Sequence, residues 1–92
     1  MIKQVKNGNW NYFEERSFFD IVYNIINCDK DELRILRNAF YAKYNFMFKS
    51  SDLQIFFNQF DWYNGTKENV ESYFSDREKM IQKILILLKL LK

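Results

Sequence analysis

Ninety-two residues are enough for one small domain with a single core and a modest stability margin. Aromatics make up 20 % of the chain, proline is absent and glycine occurs only at positions 8 and 65, so little interrupts helices and an all-α fold is expected. A formal charge of +2 argues against nucleic acid as a partner, while the absence of histidine and the single Cys28 exclude a Cys/His zinc site and an intramolecular disulfide framework.

The charge is uneven, with four basic and six acidic residues up to Glu32 and ten basic and six acidic from Leu33 onward. The opening MIKQVKNGNWNYF has no apolar core of the kind a signal peptide carries. The longest uninterrupted apolar run is Ile84 to Leu88, far below the roughly 18 residues of a membrane span, so the chain as given is expected to be soluble.

Residues 1–13 carry the weakest pattern. Asn7-Gly8 is a turn signal and its flanks are compatible with a short hairpin, but the alternation is poor and an irregular lead-in fits better. A first helix is expected from about Tyr12 to Asn27, with Phe18, Ile21, Val22, Ile25 and Ile26 on one face and Asn11 with Glu14 as its capping box. Asp29 with Glu32 opens the next helix, whose stripe is Leu33, Leu36, Phe40 and Tyr44 and whose natural stop is Asn45. Phe46-Met47-Phe48 reads as a buried connector. Ser51 with Gln54 starts a short helix bearing Leu53, Phe56, Phe57 and Phe60, which ends near Asp61-Trp62-Tyr63.

Asn64-Gly65 turns the chain, and Thr66 is placed to cap a helical turn carrying Val70, Tyr73 and Phe74. Ser75 with Glu78 is the clearest capping box and opens a helix reaching the C-terminus. Met80, Ile81, Ile84, Leu87, Leu88 and Leu91 are assigned to its apolar side, and Lys79, Gln82, Lys83 and Lys89 to its polar side, interrupted by Ile86 and Leu90. The expected architecture is a small bundle of four to five helices with an aromatic-rich core. Residues 1–30 form an N-terminal segment and helix packed on a main unit of residues 31–92.

From Leu33 onward the chain resembles the YARHG domain family, with Tyr41-Ala42-Lys43-Tyr44-Asn45 standing at the Tyr-Ala-Arg-His-Gly signature. Leu36-Arg37-Asn38, Phe48-Lys49, Asp52-Leu53, Phe57, Trp62-Tyr63 and the Ser75-to-Glu78 helix start extend the resemblance over roughly residues 33–90. Three signature positions depart from the pattern: lysine for arginine, tyrosine for histidine and asparagine for glycine. Glycine and asparagine share access to left-handed backbone angles, so the third change implies that the position ends a helix. Tyr44 removes any proton transfer or metal binding a histidine would give there, and it fits the apolar stripe. The resemblance implies a non-enzymatic bacterial module, often in exported proteins; an extracytoplasmic location rests on it alone.

Four polar or aromatic positions are assigned to a structural clamp. Arg37 is expected to enter the connector between Phe46 and Trp62 and to meet Asp52, Asp61 or carbonyls near Trp62, because a half-buried arginine needs partners. Asn38 serves the same connector, Asn45 takes positive φ, and Trp62 closes the core in preference to forming an exposed platform. Tyr12, Tyr23, Tyr41 and Tyr73 are read first as amphipathic core edges.

Tyr41, Lys43, Tyr63, Ile86 and Leu90 make up the candidate interaction surface, with Lys43 the signature side chain expected to face a partner. Ile86 and Leu90 would meet a second subunit or a neighbouring domain. No catalytic residue, metal or cofactor is assigned. The pairs Glu14-Glu15 and Asp31-Glu32 diverge by about 100° on a helix, and Cys28 has no histidine partner, although a neighbouring helix start would lower its pKa mildly. Lys43, Lys49, Arg34 and Arg77 are too few for a nucleic-acid interface. The leading function is a non-catalytic interaction or accessory module with a protein or cell-envelope ligand. The alternative is a membrane-surface or envelope-binding module using the lysines and leucines of the closing helix.

Overall fold

Helix starts follow the side chains able to cap them. In a computed structural model describing all 92 residues, Asp29 Oδ1 accepts from Glu32 N at 2.8 Å and Glu32 Oε1 accepts from Asp29 N at 3.0 Å, opening α4. Ser75 and Glu78 repeat the exchange at 3.1 and 2.9 Å and open the last helix, α6. The helices are α1 (Ile2–Lys6), α2 (Asn11–Glu15), α3 (Phe18–Ile26), α4 (Lys30–Lys43), α5 (Ser51–Asn58) and α6 (Asp76–Leu91), with a 3-10 turn at Glu71–Tyr73 before α6. The fold is all-α, and its six helices slightly exceed the expected four to five.

The extra helices come from the N-terminal third. The expected helix over 12–27 is broken at Arg16, which is extended at ψ 154°, and Ser17 caps α3 by accepting from Asp20 N at 3.2 Å. Ser17 and Asp20 supply a competing helix start inside the periodic run. Asn11 caps nothing; Trp10 precedes α2 without a side-chain bond. The lead-in is neither hairpin nor irregular, because α1 forms and buries Val5 completely. It ends at Gly8, φ +66°, whose N–H donates to Val5 O while Asn9 N donates to Gln4 O. An added Cβ there would lie 2.8 Å from Trp62 Cδ1, so both the backbone angle and the indole packing demand glycine.

Two other expected caps do not form. Ser50 precedes α5 without a side-chain cap, and Gln54 Nε2 instead donates to Phe48 O at 2.6 Å. Thr66 N donates to Asn45 O, and the turn after it starts from Val70.

The core is one cluster of 17 buried residues that draws Val5, Phe13, Ile21, Ile25 and Cys28 from the first thirty positions and the rest from beyond them. Phe40 sits near its middle, edge-on to Phe13 at 5.2 Å, and Phe48 stacks on Phe57 at 5.0 Å. Each buried large apolar side chain contributes on the order of 1.5–3 kcal/mol.

The dominant helix pair is α4 with α6. Here α6 is turned from its expected orientation: Glu78, Ile81, Gln82 and Leu85 are buried, whereas Met80, Leu87 and Leu91 are exposed. That displacement is roughly one residue, or about 100°. No helix is long and apolar enough to cross a membrane.

Candidate functional site

Asn45 ends α4 as expected, with φ 65°. Its N–H donates to Ala42 O at 2.9 Å and Phe46 N donates to Tyr41 O at 3.1 Å, the paired bonds of a Schellman stop. The accompanying side-chain contact is Tyr41 against Phe46, edge to face with ring centroids 5.5 Å apart. Asn45 goes further than glycine can. Its Oδ1 accepts from Asn64 N at 3.0 Å, while its carbonyl accepts from Thr66 N and Lys67 N. The cap therefore pins the Asn64-Gly65 turn to the end of α4. One parallel bridge, Phe46 with Lys67, continues the join.

The two preceding signature side chains converge on a buried carboxylate. Lys43 Nζ lies 2.9 Å from Glu78 Oε2, and the Tyr44 hydroxyl donates to Glu78 Oε1 at 2.7 Å. Glu78 is 5 % exposed and the Lys43 side chain 16 %. Lys43 also pairs with Glu14 at 3.4 Å and lies near the Trp10 and Tyr44 rings.

Burial alone would raise the Glu78 carboxyl, but the Ser75 N–H, the Tyr44 hydroxyl and the Lys43 ammonium outweigh it and hold it below its ordinary value. Burial would likewise lower Lys43; the bond and charge of Glu78 reverse this and raise it. Tyr44 is raised by burial and then by Glu78. Each group is thus held in its ordinary protonation state. Lys43, expected to face a partner, is committed to this internal joint between α2, α4 and α6.

The clamp is built differently from expectation. Arg37 makes no ion pair or side-chain hydrogen bond, and its Nε is buried without a partner. Asp52 is taken by Arg34, at 2.6 Å, because Arg34 is the α4 arginine that comes within reach of α5. Arg37 instead lies beside α6, next to Ile86, Lys89 and Leu90. Asn38 does not serve the connector either; its Nδ2 donates to Arg34 O at 2.9 Å within its own helix.

Trp62 stacks on Phe60 at 5.6 Å, stands edge-on to Trp10 at 5.3 Å and donates from Nε1 to Lys6 O. It closes the core over α1. Tyr63 is also turned inward, its hydroxyl donating to Phe46 O, and Tyr41 donates to Glu71 Oε1 at 3.3 Å while packing on Phe74. These tyrosines brace the connector.

Ile86 and Leu90 are the interaction candidates that stay free, 43 % and 79 % exposed. A groove of about 410 Å³ between α4 and α6 is lined by Lys30, Arg37, Ile86, Lys89 and Leu90. Across Ile86 lies a second groove, of about 320 Å³, lined besides by Tyr41, Glu71, Phe74, Lys79, Gln82 and Lys83. Gln82 is 7 % exposed; its Nε2 donates to Arg37 O at 3.0 Å and its Oε1 has no partner. A third opening, about 570 Å³, lies along the connector between Phe46–Lys49 and Glu68-Asn69. Cys28 is buried, and burial raises its thiol pKa, contrary to the expected mild lowering.

Sequence reasoning found Glu78 as a cap but not as the centre of the joint. Its spacing to Ile81 and Leu85, three and seven residues on, places it on the buried stripe, which was a usable signal. Gln82 and Arg77 gave none. Arg77 Nε donates to Phe13 O at 2.8 Å and its Nη2 to Arg16 O, fastening the α2–α3 break to α6.

A family model for the YARHG domain matches residues 23–87, from within α3 to within α6. No curated protein and no solved structure matches the chain.

Proposed function

The chain belongs to the YARHG domain family, a small domain often carried by exported bacterial proteins, and we propose that it is a non-catalytic interaction module that docks through the outer face of α6. One observation carries this reading. All five signature residues are engaged in contacts within the molecule, Tyr41 alone also lining a groove, while Ile86, Leu87, Leu90 and Leu91 stand exposed in succession along α6. Apolar side chains grouped in this way on a small domain mark contact surfaces. The titratable groups that do converge, Lys43, Tyr44 and Glu78, saturate one another and leave no free acid or base for chemistry.

A second reading follows from the same helix. Met80, Leu87 and Leu91 are exposed near lysines, a pattern suited to a membrane or cell-envelope surface. Photo-crosslinking separates the two. With a photoreactive residue at Leu90 of the protein in its host cell, a discrete protein adduct is expected, and the same residue at exposed Ile55 on α5 should give none. Adducts to lipid or envelope polymer alone favour the second reading. Equal labelling at both positions removes the α6 face as a docking surface.

A further inference from the structure

We propose that the α4–α6 groove receives an acidic segment of a partner protein, one carboxylate pairing with Arg37 while a neighbouring apolar side chain packs against Ile86 and Leu90. The proposal rests on the interaction-module reading and adds the chemistry of the partner.

The first observation is the missing anion. Arg37 lines the groove without an ion pair or a side-chain hydrogen bond, its Nε buried with no acceptor. Asp52 holds Arg34, Glu78 holds Lys43 and Tyr44, and Glu71 accepts from Tyr41. A half-buried guanidinium without a counter-ion is costly, and a carboxylate meets its planar fork best.

The second is charge. The groove on Arg37 holds Lys30 and Lys89 as well and no acid, and the adjoining one sets Lys79 and Lys83 against a single acid, Glu71, which accepts from Tyr41. None of these five cations takes part in the three ion pairs of the molecule, which lie at Arg34–Asp52, Lys43–Glu14 and Lys43–Glu78. Their mutual repulsion is relieved by an anionic ligand.

Shape then selects the class of partner. The apolar and cationic groups line two concavities on either side of Ile86, which suits side chains inserted one at a time from a peptide; a bilayer meets ridges.

The test uses the full 92-residue chain, isotope-labelled, and a blocked helical peptide of roughly four turns with Glu and Leu along one face. Titration should shift the Arg37 Nε–H resonance and the Ile86 methyls. Replacing the peptide's Glu by Gln, or Arg37→Gln in the protein, should weaken binding by about tenfold or more, and added salt should weaken it further. The circular dichroism and melting of Arg37→Gln are checked first. If that variant does not fold, the surface double variant Lys30→Gln with Lys89→Gln carries the same expectation.

Unchanged affinity for the Gln peptide, or for the variants, overturns the proposal. So does binding confined to anionic phosphatidylglycerol vesicles, which would support the membrane reading instead. A protein adduct at Leu90 that is insensitive to Arg37→Gln removes the acidic segment and leaves the module reading standing; no adduct removes both.

Discussion

Asn45 shows how one side chain can replace glycine and add a function. A left-handed residue costs most amino acids about 1–2 kcal/mol, a cost glycine avoids and asparagine reduces. Asn45→Ala should therefore destabilise the domain by about 1–2 kcal/mol, and the loss of the Oδ1 bond to Asn64 N adds to it. Asn45→Gly keeps the angle and loses only that bond, so urea denaturation should rank the variants asparagine, glycine, alanine in falling stability. The backbone angle was legible because only a few residue types tolerate it. Arg37 was not. Its neighbour Arg34 has the same chemistry and lies three positions earlier, and only the packing angle of α4 on α5 decides which of them reaches Asp52.

At the level of elements, the joint between α4 and α6 gives signature positions 43 and 44 a structural task in this chain. Positions 43 and 44 project from the last turn of α4 onto Glu78, the third residue of α6, whose carboxylate simultaneously closes the Ser75 capping box. A basic residue followed by a hydrogen-bond donor satisfies that carboxylate, which arginine and histidine do as well as lysine and tyrosine. The double variant Lys43→Arg with Tyr44→His is expected to fold with nearly unchanged far-ultraviolet circular dichroism and to lose less stability than Lys43→Met. The helix starts at Asp29 and Ser75 were legible because each is a local exchange over three residues. The rotation of α6 was masked, since exposed leucines on its flanks outweigh Glu78 and Gln82 in a hydrophobic pattern, and only the spacing of Glu78 to Ile81 and Leu85 pointed to it. Ser17 was likewise hidden, as a cap lying within a run of helical periodicity.

In the whole molecule, the N-terminal segment and the closing helix are fastened together. Arg77 reaches the carbonyls of Phe13 and Arg16, Lys92 reaches those of Ile26 and Cys28 at the end of α3, and Trp62 reaches Lys6 O. These long-range contacts had no sequence signal, because each is made to a backbone carbonyl that any residue supplies.

Stability should then track the ionisation of the joint. The Glu78 carboxyl is held below its ordinary 4.5, so its contribution is complete above about that pH and is lost as pH falls through the folded value. Lys43 is held above its ordinary 10.5, so its contribution is complete below that pH and is lost as pH rises through the folded value. Calorimetry should show the wild type melting well above Glu78→Gln near neutrality, with the gap closing at acid pH. A gap independent of pH on the acid side would contradict a charged joint.

The most direct measurement is the coupling between Lys43 and Glu78, taken from the unfolding free energies of wild type, Lys43→Met, Glu78→Gln and the double variant. Removing one partner of a largely buried pair costs about 3 kcal/mol. An internal joint predicts that each single change is strongly destabilising and that the second adds little, a coupling of about 2 kcal/mol or more. Additive losses with no coupling would contradict it and return Lys43 to the surface, as a side chain free to meet a partner.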